Sequence, residues 1–191
     1  MDERIHDPPD WHNARMTDDP AAGAVDRDRR NQALAEAIRL REDGQLEPAR
    51  SQLLALGTDW PDDAEIAYQT AWVHDRLGLE VDAVPFYEHA LASGLAPEHR
   101  VGAYVGLGST YRVLGRYEEA RSTLQRGLAE FPGNAAMRTF LAMTHYNLGA
   151  AHDGLSLALT VLAETSADPD VQRYRPAIEY YAGHLDVVDE G

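Results

Sequence analysis

VGAYVGLGSTYRVLGRYEEARSTLQRGLAEFP, residues 101–132, decides how this chain folds. Its small and apolar residues recur three and four positions apart, the spacing of one face of an α-helix. Gly115 interrupts the pattern after about fifteen residues and Pro132 closes it. Counting Val101 as slot 1, Tyr104 holds slot 4, Leu107 and Gly108 slots 7 and 8, and Tyr111 slot 11. Past the break come Tyr117 at slot 17, Ala120 at 20, Leu124 at 24 and Leu128 at 28. Small residues at slots 8 and 20 let two helices approach closely, and the large ones fill the space around that contact.

The breaks recur along the chain. Gly44, Gly78, Gly115 and Gly149 are separated by 34, 37 and 34 residues, and a period near 34 with two helices per unit marks a helical solenoid. The first unit, from Arg30, keeps Ala37, Gly44, Ala49, Leu53, Leu56 and Pro61 in register but has Glu36 at slot 7. The second, from Ala64, keeps Ala71, Gly78, Ala83, Tyr87, Ala90 and Leu91, with three extra loop residues before the next. The fourth, from Ala135, keeps Leu141, Ala142, Gly149, Ala158 and Leu162 but has Arg138 at slot 4. Irregular terminal units are expected where one side faces water. Units are placed at about 30–63, 64–100, 101–134 and 135–169, with a capping helix over 170–185 that Pro176 starts or kinks. Asp62 with Glu65, and Asn134 after Pro132-Gly133, read as helix N-caps. Pro48 and Pro85 are each expected in a first helical turn, where a missing N–H costs nothing.

These slots resemble the tetratricopeptide repeat family over roughly 155 residues. The stretch Ala83-Val84-Pro85-Phe86-Tyr87 to Leu95, then Arg112 to Arg116 and His145-Tyr146-Asn147-Leu148-Gly149, is similar more narrowly to its bacterial group 5 subfamily. The resemblance implies an all-α, right-handed superhelical solenoid of about four helix pairs plus the capping helix. It also implies a concave face that holds a peptide or partner protein.

Composition narrows the chemistry. There is no cysteine, and all 17 basic residues are arginine. That excludes disulfides, thiolate metal sites, thiol nucleophiles, Schiff-base chemistry and the P-loop lysine. The net charge of −15 argues against nucleic acid as a partner. Residues 1–28 hold eight acids against three arginines, carry Pro8, Pro9 and Pro20, and are expected to form a disordered acidic tail with one oddity, Trp11. Residues 186–191 form a second acidic tail. No apolar run spans a bilayer and no secretory signal opens the chain, so a cytoplasmic protein without membrane association is expected.

No catalytic or cofactor site emerges. His74 and His145, both at slot 11, read as histidines filling core space rather than an acid–base pair. His6 and His12, beside Asp7 and Asp10, offer at most a weak metal site, and the other histidines lack ligand spacing. Ser109 lies within a repeat helix rather than on a nucleophile elbow. The acid pairs Asp62-Asp63 and Glu118-Glu119 sit at helix starts, where the dipole favours them. No enzymatic activity, metal or cofactor is expected.

The concave face is therefore the expected site. Slots 2, 5, 6, 9, 12 and 13 of each first helix avoid the core slots and repeat at helical spacing. They nominate Tyr68, Trp72, Arg76, Val105, Ser109, Arg112, Phe140, Met143 and Tyr146 as the partner-binding groove. Gly102 and Gly106 would leave room between the aromatics for a visiting side chain, and Arg41, Arg76 and Arg112 would form a basic rim. A shift of one position in helical register would bury some of these instead. Leu34, Ile38, Gly102 and Gly106 stand where chaperone-tail-binding members of the family carry lysine and asparagine, so that two-carboxylate clamp is not expected. Two readings follow: an adaptor that grips a segment with an apolar side chain and an acidic neighbour, or a self-associating scaffold such as a homodimer. Asp7 to Trp11 is itself such a segment and could enter the groove.

Overall fold

The structure is a computed structural model and describes residues 20–188. The tail containing Trp11, its expected entry into the groove, His6 and His12, and the last three residues lie outside it. Among the described residues there are nine α-helices and no strand: α1 (Pro20–Glu42), α2 (Leu46–Asp59), α3 (Ala64–Arg76), α4 (Glu80–Ala92), α5 (Pro97–Val113), α6 (Tyr117–Glu130), α7 (Ala135–Asn147), α8 (Ala151–Thr165) and α9 (Pro169–Ala182).

Local chemistry sets the ends of these helices. Gly44, Gly78, Gly115 and Gly149 all have φ between 73° and 82°, the left-handed conformation that closes a helix and that a Cβ disfavours. The residue after each donates back across the end, as Arg116 does to the Tyr111 carbonyl at 2.8 Å. Asn134 caps α7 by accepting from the Met137 N–H at 2.9 Å. At α3 the cap is Asp63 rather than Asp62: its Oδ1 accepts from Glu65 and Ile66, both at 3.0 Å. Arg30 of α1 then grips the same carboxylate at 2.6 and 2.8 Å, so this cap also ties the first unit to the second.

Three local expectations are corrected. Residues 20–28, assigned to a disordered tail, continue α1 by more than two turns. Trp60 gives them something to rest on: its indole N–H donates to Asp26 at 3.2 Å, and the Arg29 guanidinium lies over its ring at 4.8 Å. The extra residues before the third unit form no loop but an added turn of α5, started by Pro97. Pro85 sits in the second turn of α4, not the first. It leaves the Val81 carbonyl without its helical donor, a cost that water can meet because Val81 is exposed. Pro176 lies inside α9, which begins at Pro169 behind an Asp168 cap.

Each helix packs on the next, and the odd-numbered helices α1, α3, α5 and α7 also touch one another in turn. The even helices make no such contacts with each other. A stack whose alternate helices converge on one side and spread on the other is curved, with α1, α3, α5 and α7 lining the inside. Three clusters form its core, around Leu53 and Ile66, around Tyr87 and Leu107, and around Leu124 and Met137. Fully burying one such side chain stabilises the fold by roughly 1.5–3 kcal/mol. Gly108 is fixed by this packing, since a Cβ there would lie 2.6 Å from the Leu124 side chain.

Candidate functional site: the inner groove

The inner face carries a cavity of about 380 Å³ between α3 and α5. Tyr68, Trp72, Asp75 and Arg76 come from α3, Gly102, Val105, Gly106 and Ser109 from α5, and Tyr87 reaches in from α4. Five of the nine residues nominated from sequence thus meet around one opening: Tyr68, Trp72, Arg76, Val105 and Ser109. The other four lie elsewhere along the inner layer. Arg112 is half-buried at the end of α5 and donates to Asn147 of α7 at 3.3 Å. Met143 and Tyr146 of α7 are exposed, Tyr146 by 71%. Phe140 is half-buried against the third core cluster.

The groove is less open than its sequence suggests. Gly102 and Gly106 do leave space, but the protein fills it itself. A Cβ on Gly102 would overlap the Tyr68 hydroxyl, and one on Gly106 the ring and hydroxyl of Tyr87. Tyr68 is accordingly buried, whereas Trp72, one turn on, stays 37% exposed. The aromatic rings form a row: His99 to Tyr68 at 5.6 Å between centroids, Tyr68 to Trp72 at 5.9 Å. Arg41 of α1 completes it, its guanidinium 3.6 Å from the Trp72 ring centre.

The expected basic rim is likewise uneven. Arg76 is exposed, but Arg41 is only 6% exposed and faces the aromatic row. Its Nη2 reaches the exposed carboxylate of Glu42 at 3.2 Å, while Nε and Nη1 are buried with no partner among the described residues. Arg112 Nε is in the same condition. Burial draws the Arg41 proton affinity below that of a free guanidinium, and Glu42 offsets this only in part. A buried cation with unmet donors is expensive unless a counter-charge arrives.

Asp75 stands at the other wall. It accepts from the Tyr87 hydroxyl at 2.8 Å and the Thr110 hydroxyl at 2.8 Å. Burial raises its pKa above the ordinary carboxylate range despite those two donors. Tyr87 was not among the residues expected at the groove, and Arg41 was expected only as part of its basic rim. The signal for Tyr87 was present in Gly106: a missing Cβ on a packed helix implies a large neighbour. The burial of Arg41 against Trp72 gave no such signal, because its slot also suits an exposed charge.

Outside the groove, His74 fills core space. Its Nδ1–H donates to the Thr70 carbonyl at 2.7 Å, and Nε2 accepts from Arg50 at 3.2 Å, which defines a neutral tautomer. No group of three or more metal-ligating side chains occurs among the described residues, and no helix there is long and apolar enough to cross a membrane.

Comparison with known proteins agrees with this geometry. The sequence model of the group 5 family described as Tetratrico peptide repeat matches residues 64–185, well over half the chain. The chain belongs to the tetratricopeptide repeat family. No curated protein matches the tetratricopeptide chain. Among solved structures it resembles MamA 41-end from Desulfovibrio magneticus RS-1 at 18% identity and a TM-score of 0.61, covering 86% of this chain and 98% of that one. It also resembles the kinesin light chain TPR-like repeats of Podosopora anserina at 19% identity and 0.61, covering 83% and 88%. At such identities the likeness is one of fold. Tetratricopeptide repeats are protein–protein interaction modules, and that is the class of function family membership gives this chain.

Charge is partitioned between the outer and inner helices of the tetratricopeptide stack. The outer helices α2, α4, α6 and α8 hold ten acidic residues against three arginines, a net of −7. The inner helices α1, α3, α5 and α7 hold seven acids against nine arginines, a net of +2. The acidity of the protein thus lies mainly on its outer helices.

Proposed function

We propose that the protein is a non-catalytic, cytoplasmic adaptor whose inner groove holds a segment of a partner protein. The segment places an apolar side chain in the cavity beside Trp72 and a carboxylate against the guanidinium of Arg41 or Arg112. One observation carries this reading: Arg41 is buried beside Trp72 with two unpartnered donors. An acidic group supplies what those donors lack, and a planar guanidinium stacked on indole is already oriented to receive it. Trp72 and Arg112 are residue types that anchor protein interfaces. From the cavity the face continues over Arg112 to Phe140, Met143 and Tyr146 on α7, a span suited to an extended or helical segment.

The test uses a displayed library of random peptides selected on the full chain. Peptides combining an acidic with an aromatic or aliphatic residue should be enriched. They should be lost on Ser109→Trp, which fills the cavity, and weakened at least tenfold by Arg76→Glu, with helical circular dichroism unchanged. Enrichment of basic peptides, or binding that survives both changes, rejects the reading.

A further inference from the structure

The last helix is packed unlike the other eight. α9 rests on α8 and, among the described residues, on no other helix. It buries Val171, Arg175, Ile178 and Ala182 wholly or in part. About a quarter-turn away, Tyr174, Ala177 and Tyr181 form an exposed stripe at positions i, i+3 and i+7, the two tyrosines 58% and 60% exposed. Tyr180 beside them is 54% exposed. A solenoid end that stops in water normally presents polar residues there. This end presents three tyrosines.

We propose that α9 is a self-association surface, on which two copies of this chain pair antiparallel about a two-fold axis passing Ala177. The stripe is self-complementary when read backwards, as such an interface requires. With Ala177 on the axis, Tyr174 of one copy meets Tyr180 and Tyr181 of the other, and Asp170 meets His184. Arg173 falls beside the opposing Tyr181, in reach of its ring face. Ala177 is the small residue that lets the two axes approach where they cross. Antiparallel pairing also sets the positive end of each helix dipole beside the negative end of the other.

Charge selects this face for a second copy. The chain as a whole carries −15, and two copies repel wherever acidic surfaces meet. α9 is neutral, with Asp170 and Glu179 balanced by Arg173 and Arg175. A helix of 14 residues is about 21 Å long, which makes a small interface and a dimer populated only above roughly micromolar concentration. The proposal is independent of what the groove binds, since α9 touches none of the inner helices.

The absence of cysteine makes the test direct. Ala177→Cys in the full chain puts two thiols across the axis within disulfide reach, and Val81→Cys, 71% exposed on α4, is the control. Under mild oxidation at about 100 micromolar, a concentration chosen for a weak interface, Ala177→Cys should become largely covalent dimer while Val81→Cys stays largely monomer. Sedimentation should show a monomer–dimer equilibrium that Tyr174→Glu with Tyr181→Glu weakens at least tenfold. Both positions are exposed, so the fold is unaffected. A strict monomer at that concentration overturns the proposal, as does α9 covered by another part of the same chain, which gives the same monomer. A dimer in which Ala177→Cys links no faster than Val81→Cys overturns it too.

Discussion

Tyrosine does opposite things at the centre and at the C-terminal end of this molecule. At the centre, Tyr87 is 2% exposed, fits over Gly106 and donates to Asp75. Tyr111 is buried too. Its hydroxyl donates to Glu88, and burial first, then that bond, pushes its pKa up to about 12. At the end, Tyr174, Tyr180 and Tyr181 stand in water on a helix with one neighbour. The residue type is constant; what differs is whether a helix lies on both sides. The comparison teaches that in a stacked fold a tyrosine between two packed helices becomes core, whereas the end leaves tyrosines as surface available to a partner.

The comparison breaks most readily at Tyr87. Tyr87→Ala should cost about 3–5 kcal/mol in urea unfolding, the range for a large buried side chain, while Tyr181→Ala should change stability by less than about 0.5 kcal/mol at dilute concentration. Equal losses at both sites would show the two regions to be packed alike. Next comes Gly106→Ala, where the new Cβ meets the Tyr87 ring. A loss of roughly 1–3 kcal/mol is expected from overpacking. Much of it should be absent when the change is made in a Tyr87→Leu background, because the two residues share one space. No such coupling would mean that the glycine is there for another reason.

The smallest effect is electrostatic and turns on pH. Because burial raises the Asp75 pKa, the folded state disfavours its charge. The resulting penalty is absent below the ordinary carboxylate range, develops as pH rises through the raised value, and is complete above it. Asp75→Asn, which keeps an acceptor for Tyr87 and Thr110, should therefore gain on the wild type as pH rises from the ordinary carboxylate range through the raised value, measured as the difference in unfolding midpoint. A variant that loses ground over that window would contradict the assignment. Asp63 moves the other way. Its pKa is lowered because the Arg30 and backbone hydrogen bonds outweigh its burial, so its contribution is lost as pH falls.

Much of the fold was legible because it is written locally. The αL glycines at 44, 78, 115 and 149, the Asn134 cap and the small residue at Gly108 each act within a few positions or through one fixed helix contact, so their spacing announces the repeat. That Tyr68, Trp72, Arg76, Val105 and Ser109 share one side of the stack was legible for the same reason, although periodicity did not show that Tyr68 would join the core. The start of α1 was not legible. Nine residues rich in acid and alanine look like a tail until Trp60 supplies a surface for Asp26 and Arg29.

What the sequence by itself determined is therefore the period, the helix ends and the side of each helix that faces inward, all consequences of backbone preference and a 3.6-residue turn. Only the tertiary structure decided which inward residues remain accessible. Tyr68 is closed over Gly102 while Trp72 one turn later stays open, and Arg41 is trapped against that indole with its donors unmet. Those outcomes depend on side chains some 35 residues away on the neighbouring helix, at distances that no local pattern encodes.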